Sequence, residues 1–373
     1  MAKGMYASIS STTKKIKKNY AVVGGVTKKI KKMYAIVANV TRLIFSGGQL
    51  KYYGAGTALS VARMYGGGAS NSKYAIFAGG DSWETSVEAY NTSLTKSTAA
   101  DLSNTKYNIK SASLSNCAIF LGGNDSRVSA STYYKTIEGY NTSLTKVTAT
   151  ANSPHVYGGV ATINNYAIFC GGMTSSQSGN YVSEAYNSSL TKTDLANISD
   201  VDATGAFNKS YAIIATSNKD VDTFNSSLTK GTASKLLDSV SIATAGGTTA
   251  GDGAYALFAC GRNSSGSAIA TVVAYNTSLT RSLPTMLSVA RYSMGTTSLG
   301  DYAIFGGGYG SSGVVKTVDA YDASLTRTTQ TDLTDSKYAL MAASVGDFAL
   351  FAGGWQSNGG YTVSTYVNVY QLA

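Results

Sequence analysis

One string returns seven times in this chain, and that repetition limits what it can fold into. YAIFAGG begins at Tyr74, and variants of it begin at Cys117, Tyr166, Tyr211, Tyr255, Tyr302 and Phe348, at spacings of 43, 49, 45, 44, 47 and 46 residues. A second signature follows each copy: EAYNTSLT, EGYNTSLT, EAYNSSLT, DTFNSSLT, VAYNTSLT, DAYDASLT and, at the C-terminus, NVYQLA. A period of this length means that one supersecondary unit is repeated, each copy burying its apolar surface against the next.

Four strands are legible within a unit. VARMYGGGA reads as the first, and YAIF, almost wholly apolar, as a second strand buried on both faces. SVEAY is the third, closed at N-T-S, where short side chains bond nearby backbone, and LTKSTA is the fourth. Forty Gly, 2 Pro and few charges suit a turn-rich β protein. Four antiparallel strands per unit predict a propeller blade, and seven blades a ring. The last unit stops after its third strand, at Tyr370, while QLKYYGAGTALSVAR aligns with the fourth strand of other units. Residues near Leu50 to Gly56 are therefore expected to complete the last blade and close the ring, removing an exposed sheet edge.

An apolar run ending in Gly-Gly, with a Tyr on the third strand, resembles the kelch family of β-propellers, blade by blade over about residues 49–373. The resemblance implies an all-β, seven-bladed kelch-like propeller closed by an N-terminal strand. The fourth-strand Trp of that family is missing, and Leu94, Leu144, Leu190, Leu228, Leu279 and Leu325 occupy its neighbourhood. Fold transfers across such a resemblance better than function does.

The net charge of +10 suggests nucleic acid until it is located. Residues 1–48 hold nine Lys, one Arg and no acid, whereas residues 49–373 hold twenty basic and twenty acidic residues. The chain therefore divides into a basic arm, 1–48, and a neutral repeat domain, 49–373. The arm writes TKKIKKNYAVVGGV and then TKKIKKMYAIVANV, a tandem 14-mer carrying Lys14, Lys15, Lys17, Lys18, Lys28, Lys29, Lys31 and Lys32. Gly24-Gly25 and Ala38-Asn39 fall between β-branched runs, which reads as short hairpins, although KKIKKMYAIVA also suits a helix. Nucleic acid is not the expected partner, because stacking or groove-reading elements are lacking. No apolar run reaches the ~18 residues of a membrane span, and the first residues lack a secretory apolar core. The tandem KKI-x-x-x-Y-x-x-V-x-G-V-T segments, over residues 5–48, resemble those opening structural proteins of tailed bacteriophages of Gram-positive hosts. That resemblance implies a virion component, assembled in the host cytoplasm and docked to other virion proteins through the arm.

Routes to catalysis lack their residues. A copper centre of the galactose oxidase kind needs two His, and His155 is the single one. Trp83 and Trp355 sit in no Asp box, and no phosphate loop, zinc helix or Cys–His cluster is present. Cys117, Cys170 and Cys260 lie in apolar strands and read as core filler. No catalytic residue, metal or cofactor is assigned, and an enzyme is not expected.

Two sets of positions suggest binding. Eleven residues before each YAIF start stand Arg63, Lys106, His155, Asp200, Thr244, Arg291 and Lys337. Converging on one face, the five basic ones suit an anion or acidic glycan; alternatively, they pair with Glu88, Glu138, Glu184, Asp222 and Asp319, two before each third-strand Tyr. The loops after Gly-Gly differ in every unit and carry Trp83, Tyr133, Tyr134, Tyr181, Tyr309, Trp355 and Tyr361. Such loops build ligand surfaces, or diverge because nothing restrains them. The functional expectation is a virion structural protein of tail, baseplate or fibre that displays its propeller to a host-surface glycan or protein. The alternatives are a head decoration or assembly protein binding only virion subunits, and a propeller enzyme acting on polysaccharide.

Overall fold

The structure, a computed structural model, describes residues 20–23, 26–29, 32–37, 40–46, 48–81, 83–125, 132–174, 178–237, 245–259, 261–263, 265–356 and 362–373. Two compact units emerge, residues 1–50 with 372–373, and residues 51–371.

In the first unit the β-branched runs form two antiparallel hairpins. Tyr20–Val23 pairs with Val26–Lys29, and Lys32–Val37 pairs with Val40–Ser46 with a register shift between Met33 and Tyr34. Strand formers flanking turn formers favour this over the helix that KKIKKMYAIVA also allowed. Lys28 and Lys29 end one strand and Lys32 begins another, while Lys14, Lys15, Lys17, Lys18 and Lys31 lie outside the described residues.

The second unit contains seven four-stranded antiparallel sheets and, among the described residues, no helix. Sheet one runs through Gly67–Ser70, Tyr74–Ala78, Val87–Asn91 and Lys96–Ala99 in that order. Sheets two to six repeat the order over 110–150, 159–195, 203–233, 246–282 and 295–329. Sheet seven is built from Met341–Val345, Phe348–Ala352, Val367–Leu372 and, as its fourth strand, Leu50–Ala55. There the Gly56 N–H donates to the Val367 carbonyl at 2.8 Å, and the Leu59 N–H to Thr365 at 2.9 Å.

Second strands are buried on both faces because each sheet is covered on both sides. Ile76 and Ala78 of sheet one pack with Ala118 and Phe120 of sheet two and with Ile109 just before it. On the other face, Ala75, Phe77 and Tyr90 pack with Met341, Ala343, Leu350 and Val369 of sheet seven. Each fully buried large side chain stabilises by about 1.5–3 kcal/mol, so the inter-sheet cores dominate the fold. No sheet closes on itself. Seven open sheets stacked face to face in chain order are compatible with a propeller-like fold.

Two strand expectations shift. The first strand of sheet one starts at Gly67, and Val61 to Gly66 form an irregular approach with Tyr65 at φ 54°. The fourth strand starts at Lys96, not Leu94, because Leu94 occupies the turn at φ 60°. Leu144, Leu190, Leu228, Leu279 and Leu325 repeat this, with φ between 59° and 61°. A left-handed non-glycine costs roughly 1–2 kcal/mol, offset here because these side chains pack onto the inter-sheet cores. The Asn91 Oδ1 accepts the Ser93 and Thr95 N–H groups at 2.9 and 3.0 Å, and Asn141, Asn187, Asn225, Asn276 and Asp322 do the same. Turn chemistry thus accounts for the Asn-x-Ser strings.

Neighbouring first strands approach closely enough to demand glycine. A Cβ on Gly205 would sit 1.9 Å from the Val160 carbonyl oxygen, and one on Gly247 would sit 2.0 Å from that of Gly205.

Candidate binding face

Every strand order above brings three segments to one end of its sheet: the approach to the first strand, the loop from second to third, and the exit from the fourth. Backbone bridges join the first two of these, between Tyr107 and Asn124, Val156 and Met173, and Tyr338 and Trp355. The basic positions eleven before each repeat sit here, and they are buried: Arg63, His155, Arg291 and Lys337 expose 0 % and Lys106 1 %.

Four of these five are paired with acids. Arg63 meets Glu88 at 2.9 Å, Lys106 meets Glu138 at 2.6 Å, His155 meets Glu184 at 3.0 Å and Arg291 meets Asp319 at 3.0 Å. The same acids accept the backbone N–H of the segment arriving from the preceding sheet: Ser60 on Glu88, Ser103 on Glu138, Asn152 on Glu184 and Ser288 on Asp319. A fourth-strand cation adds a third grip through Lys96, Lys146 and Arg327 on Glu88, Glu138 and Asp319. Burial lowers the Arg63, Lys106 and Arg291 pKa values against the opposing pull of their acids. Burial alone would raise Glu138 and Asp319, but the neighbouring cations and N–H donors outweigh it and hold both low. Glu184 is held at about 2: burial pushes it up, and hydrogen bonds from His155, the Asn152 N–H and Tyr186 win. Both His155 nitrogens face oxygens, the Gly171 carbonyl at 2.9 Å and Glu184 at 3.0 Å. These buried charges hold the arriving segment to its sheet. Sheet four carries Asp200 at the position eleven before its repeat, where it accepts from Ser217 and Asn218, and Thr244 lies outside the described residues.

The third-strand tyrosines add a second staple. Tyr90, Tyr140, Tyr275, Tyr321 and Tyr370 donate their hydroxyls at 2.7 Å to the carbonyls of Thr57, Ala100, Ser234, Thr285 and Thr331, each on the chain leaving the preceding sheet.

At this end of the sheets lies a cavity of about 490 Å³ whose wall carries Tyr65, Tyr107, Tyr157, Tyr292, Tyr309 and Tyr338. The rings touch in series: Tyr65 and Tyr107 have centroids 4.8 Å apart, Tyr292 and Tyr309 5.4 Å, Tyr309 and Tyr338 5.6 Å, and Tyr338 and Trp355 5.1 Å. Lys110 and Arg262 share the wall, the Arg262 guanidinium lying 3.8 Å over the Tyr292 ring. Narrower spaces of about 290 and 230 Å³ continue past Gly68, Gly205, Gly247 and Thr296.

Of the loop aromatics expected to bind, Trp83 and Tyr181 are 73 % and 48 % exposed. Tyr133 and Tyr134 are half-buried, Tyr309 and Trp355 belong to the cavity cluster, and Tyr361 lies outside the described residues. Sequence reasoning passed over Tyr65, Tyr107, Tyr157, Tyr292 and Tyr338 together with Lys110 and Arg262. A signal existed: RMY, KYN, HVY, RYS and KYA place a tyrosine one or two residues after each ring cation. Cys117 and Cys170 are buried thiols pushed up by burial to about 11 and about 12, inert filler as expected, and Cys260 lies outside the described residues. Among the described residues no cluster of His, Cys, Asp and Glu could hold a metal, and no helix is long and apolar enough to cross a membrane.

No protein-family model matches this chain, and no curated protein matches it. Solved structures do resemble it. The structure of YjhT aligns at a TM-score of 0.53 with 11 % identity, covering 84 % of this chain and 96 % of that one. At that identity the likeness concerns the fold alone.

Proposed function

We propose that residues 51–371 form a closed, seven-bladed kelch-type propeller that binds a ligand without transforming it, and that the basic arm docks this domain into a bacteriophage virion. On this reading the arm is held by other virion proteins in the tail, baseplate or fibre, and the propeller meets a glycan or protein of the host surface. Ring closure is supported by the shared core of sheets seven and one and by Leu50–Ala55 completing sheet seven. The virion assignment is supported by the tandem KKI segments alone.

The observation that carries the binding role is the aromatic face. Exposed Trp83 and Tyr181 and the tyrosine-walled cavity share the end where the variable loops emerge. Rigid aromatic rings on a fixed scaffold contact sugars or protein at low entropic cost. Four buried acids at this end are committed to structure: Glu88, Glu138, Glu184 and Asp319 each carry a cation and a backbone N–H.

Gold labelling of purified particles with an antibody against 51–371 tests the assignment. Label at the tail tip or fibres supports host binding, and label over the head supports the decoration alternative. Particles without label overturn the virion reading. Turnover of a polysaccharide that disappears on mutating a few acids overturns the non-catalytic one.

A further inference from the structure

We propose that the tyrosine-lined cavity is a site for a single acidic sugar residue, a hexose-sized ring bearing a carboxylate or phosphate. This rests on reading the domain as a glycan-binding module and names the ligand class it takes.

The cavity is the right size, since small-ligand pockets run from about 300 to 1,000 Å³ and this one measures about 490 Å³. Its wall is held against local preference. Tyr65, Asn108, Tyr157, Ser293 and Ala339 all line it, and all have φ between 52° and 64°. Left-handed non-glycine residues persist where the surroundings over-determine them, commonly at ligand sites. Here the turn repeats two residues after each ring cation, so the buried ion pairs that hold each arriving segment also set the wall. Asn108 extends this, donating through Nδ2 to the Tyr157 hydroxyl at 3.2 Å and to Asn124 Oδ1 at 3.3 Å.

The wall combines flat aromatic faces with two cations. Neither Lys110 nor Arg262 forms a salt bridge among the described residues, in contrast to the ring cations. The Arg262 Nε is buried without a hydrogen-bond partner among those residues. Burial pushes Lys110 down to about 8, with Asp202 as the charge opposing that shift. An anionic group entering the cavity would meet donors that the protein leaves unspent. A polyanionic strand fits poorly, because residues 51–371 carry twenty basic and twenty acidic residues and lack the positive field that phosphate backbones require. The observations therefore favour a ring-shaped ligand with one anionic substituent.

The test titrates the full chain with glucuronic acid, glucose 6-phosphate and glucose, following ligand signals by saturation-transfer NMR. Both acidic sugars are expected to bind about tenfold more tightly than glucose, a difference typical of one charge-assisted contact. Arg262→Gln and Lys110→Gln should each erase most of that preference while leaving the melting temperature near wild type. Equal affinity for glucose and glucuronic acid, or an acid preference unchanged in Arg262→Gln, overturns the proposal. If no probe binds at millimolar concentration while the protein still coats host cells through Trp83 and Tyr181, the cavity site falls and the binding-module reading stands. If the protein binds neither probes nor cells, both fall.

Discussion

Asn368 faces Phe351 across sheet seven in the register where Glu88 faces Phe77 across sheet one, so Lys337 occupies the place of Arg63 without the carboxylate that Arg63 has. The Asn368 Oδ1 still accepts the arriving Thr334 N–H at 2.8 Å, keeping the backbone part of the staple. Among the described residues its Nδ2 and the Lys337 Nζ have no hydrogen-bond partner, and the ammonium lies 5.3 Å over the Tyr366 ring.

Supplying the missing charge should stabilise the protein. Asn368→Asp is nearly isosteric, replaces an unpartnered amide and gives Lys337 a counter-ion. Restoring Lys337 toward its ordinary value is worth at most ~3 kcal/mol, and burying the new carboxylate offsets much of that. We expect a net gain of about 1 kcal/mol, read as a higher urea midpoint with unchanged slope. A lower midpoint would mean that the two side chains do not meet.

Lys337 also makes stability depend on alkaline pH. Burial pushes it down to about 8 from 10.5, so the folded state is penalised wherever the group is charged. The penalty is complete below pH 8 and is relieved as pH rises toward 10.5. Lys337→Met should therefore be the more stable protein at pH 7, with the gap to wild type narrowing by pH 10. A gap that stays constant with pH would count against the depressed pKa.

At the acid end Glu184 acts in the opposite sense. Its folded pKa of about 2 lies below the ordinary 4.5, so its contribution is present above pH 4.5 and is lost as pH falls toward 2. The shift corresponds to roughly 3 kcal/mol. Glu184→Gln, which leaves His155 without its carboxylate, should cost about 3 kcal/mol at neutral pH. Denaturation curves of variant and wild type should converge by pH 2 to 3.

Removing one hydroxyl tests the tyrosine staple without changing packing. Tyr140→Phe loses the bond to the Ala100 carbonyl and should cost about 1 kcal/mol in chemical denaturation. Sheet four already carries Phe224 at this position, buried in the same way, which shows that the aromatic ring is the essential part. A Tyr140→Phe cost well above that figure would mean that the hydroxyl orders the inter-sheet segment as a whole.

Gly205→Ala should be among the most damaging small substitutions, at about 3 kcal/mol, because its Cβ would meet the Val160 carbonyl oxygen at 1.9 Å and backbone cannot swing aside. Gly231→Ala is the control. Its Cβ would meet only the Thr223 hydroxyl, at 3.1 Å, and a change within about 1 kcal/mol is expected. Comparable melting temperatures for the two variants would contradict the close approach.

The sequence by itself determined the repeat, the four strands of each unit and the Asn-centred turns, because those follow from local rules: alternation of side chains, apolar runs and short side chains bonding nearby backbone. It also brought out both partners of the buried ion pairs, since a cation and an acid recur at fixed distances from YAIF in most units, though not which of the two readings of the cations holds. Tertiary structure decided that question. Side chains from the approach segment, third strand and fourth strand meet on one acid, as Arg63, Glu88 and Lys96 do, and that convergence depends on how the strands stack. The tyrosine-lined cavity wall was likewise beyond local reading. Tyr65 lies on the approach to sheet one and Tyr338 on the approach to sheet seven, and 273 residues of chain separate rings whose centroids lie 6.1 Å apart. Leu94 and its five counterparts defeated strand assignment for the same reason: a leucine takes a left-handed turn only where a neighbouring sheet waits to bury it.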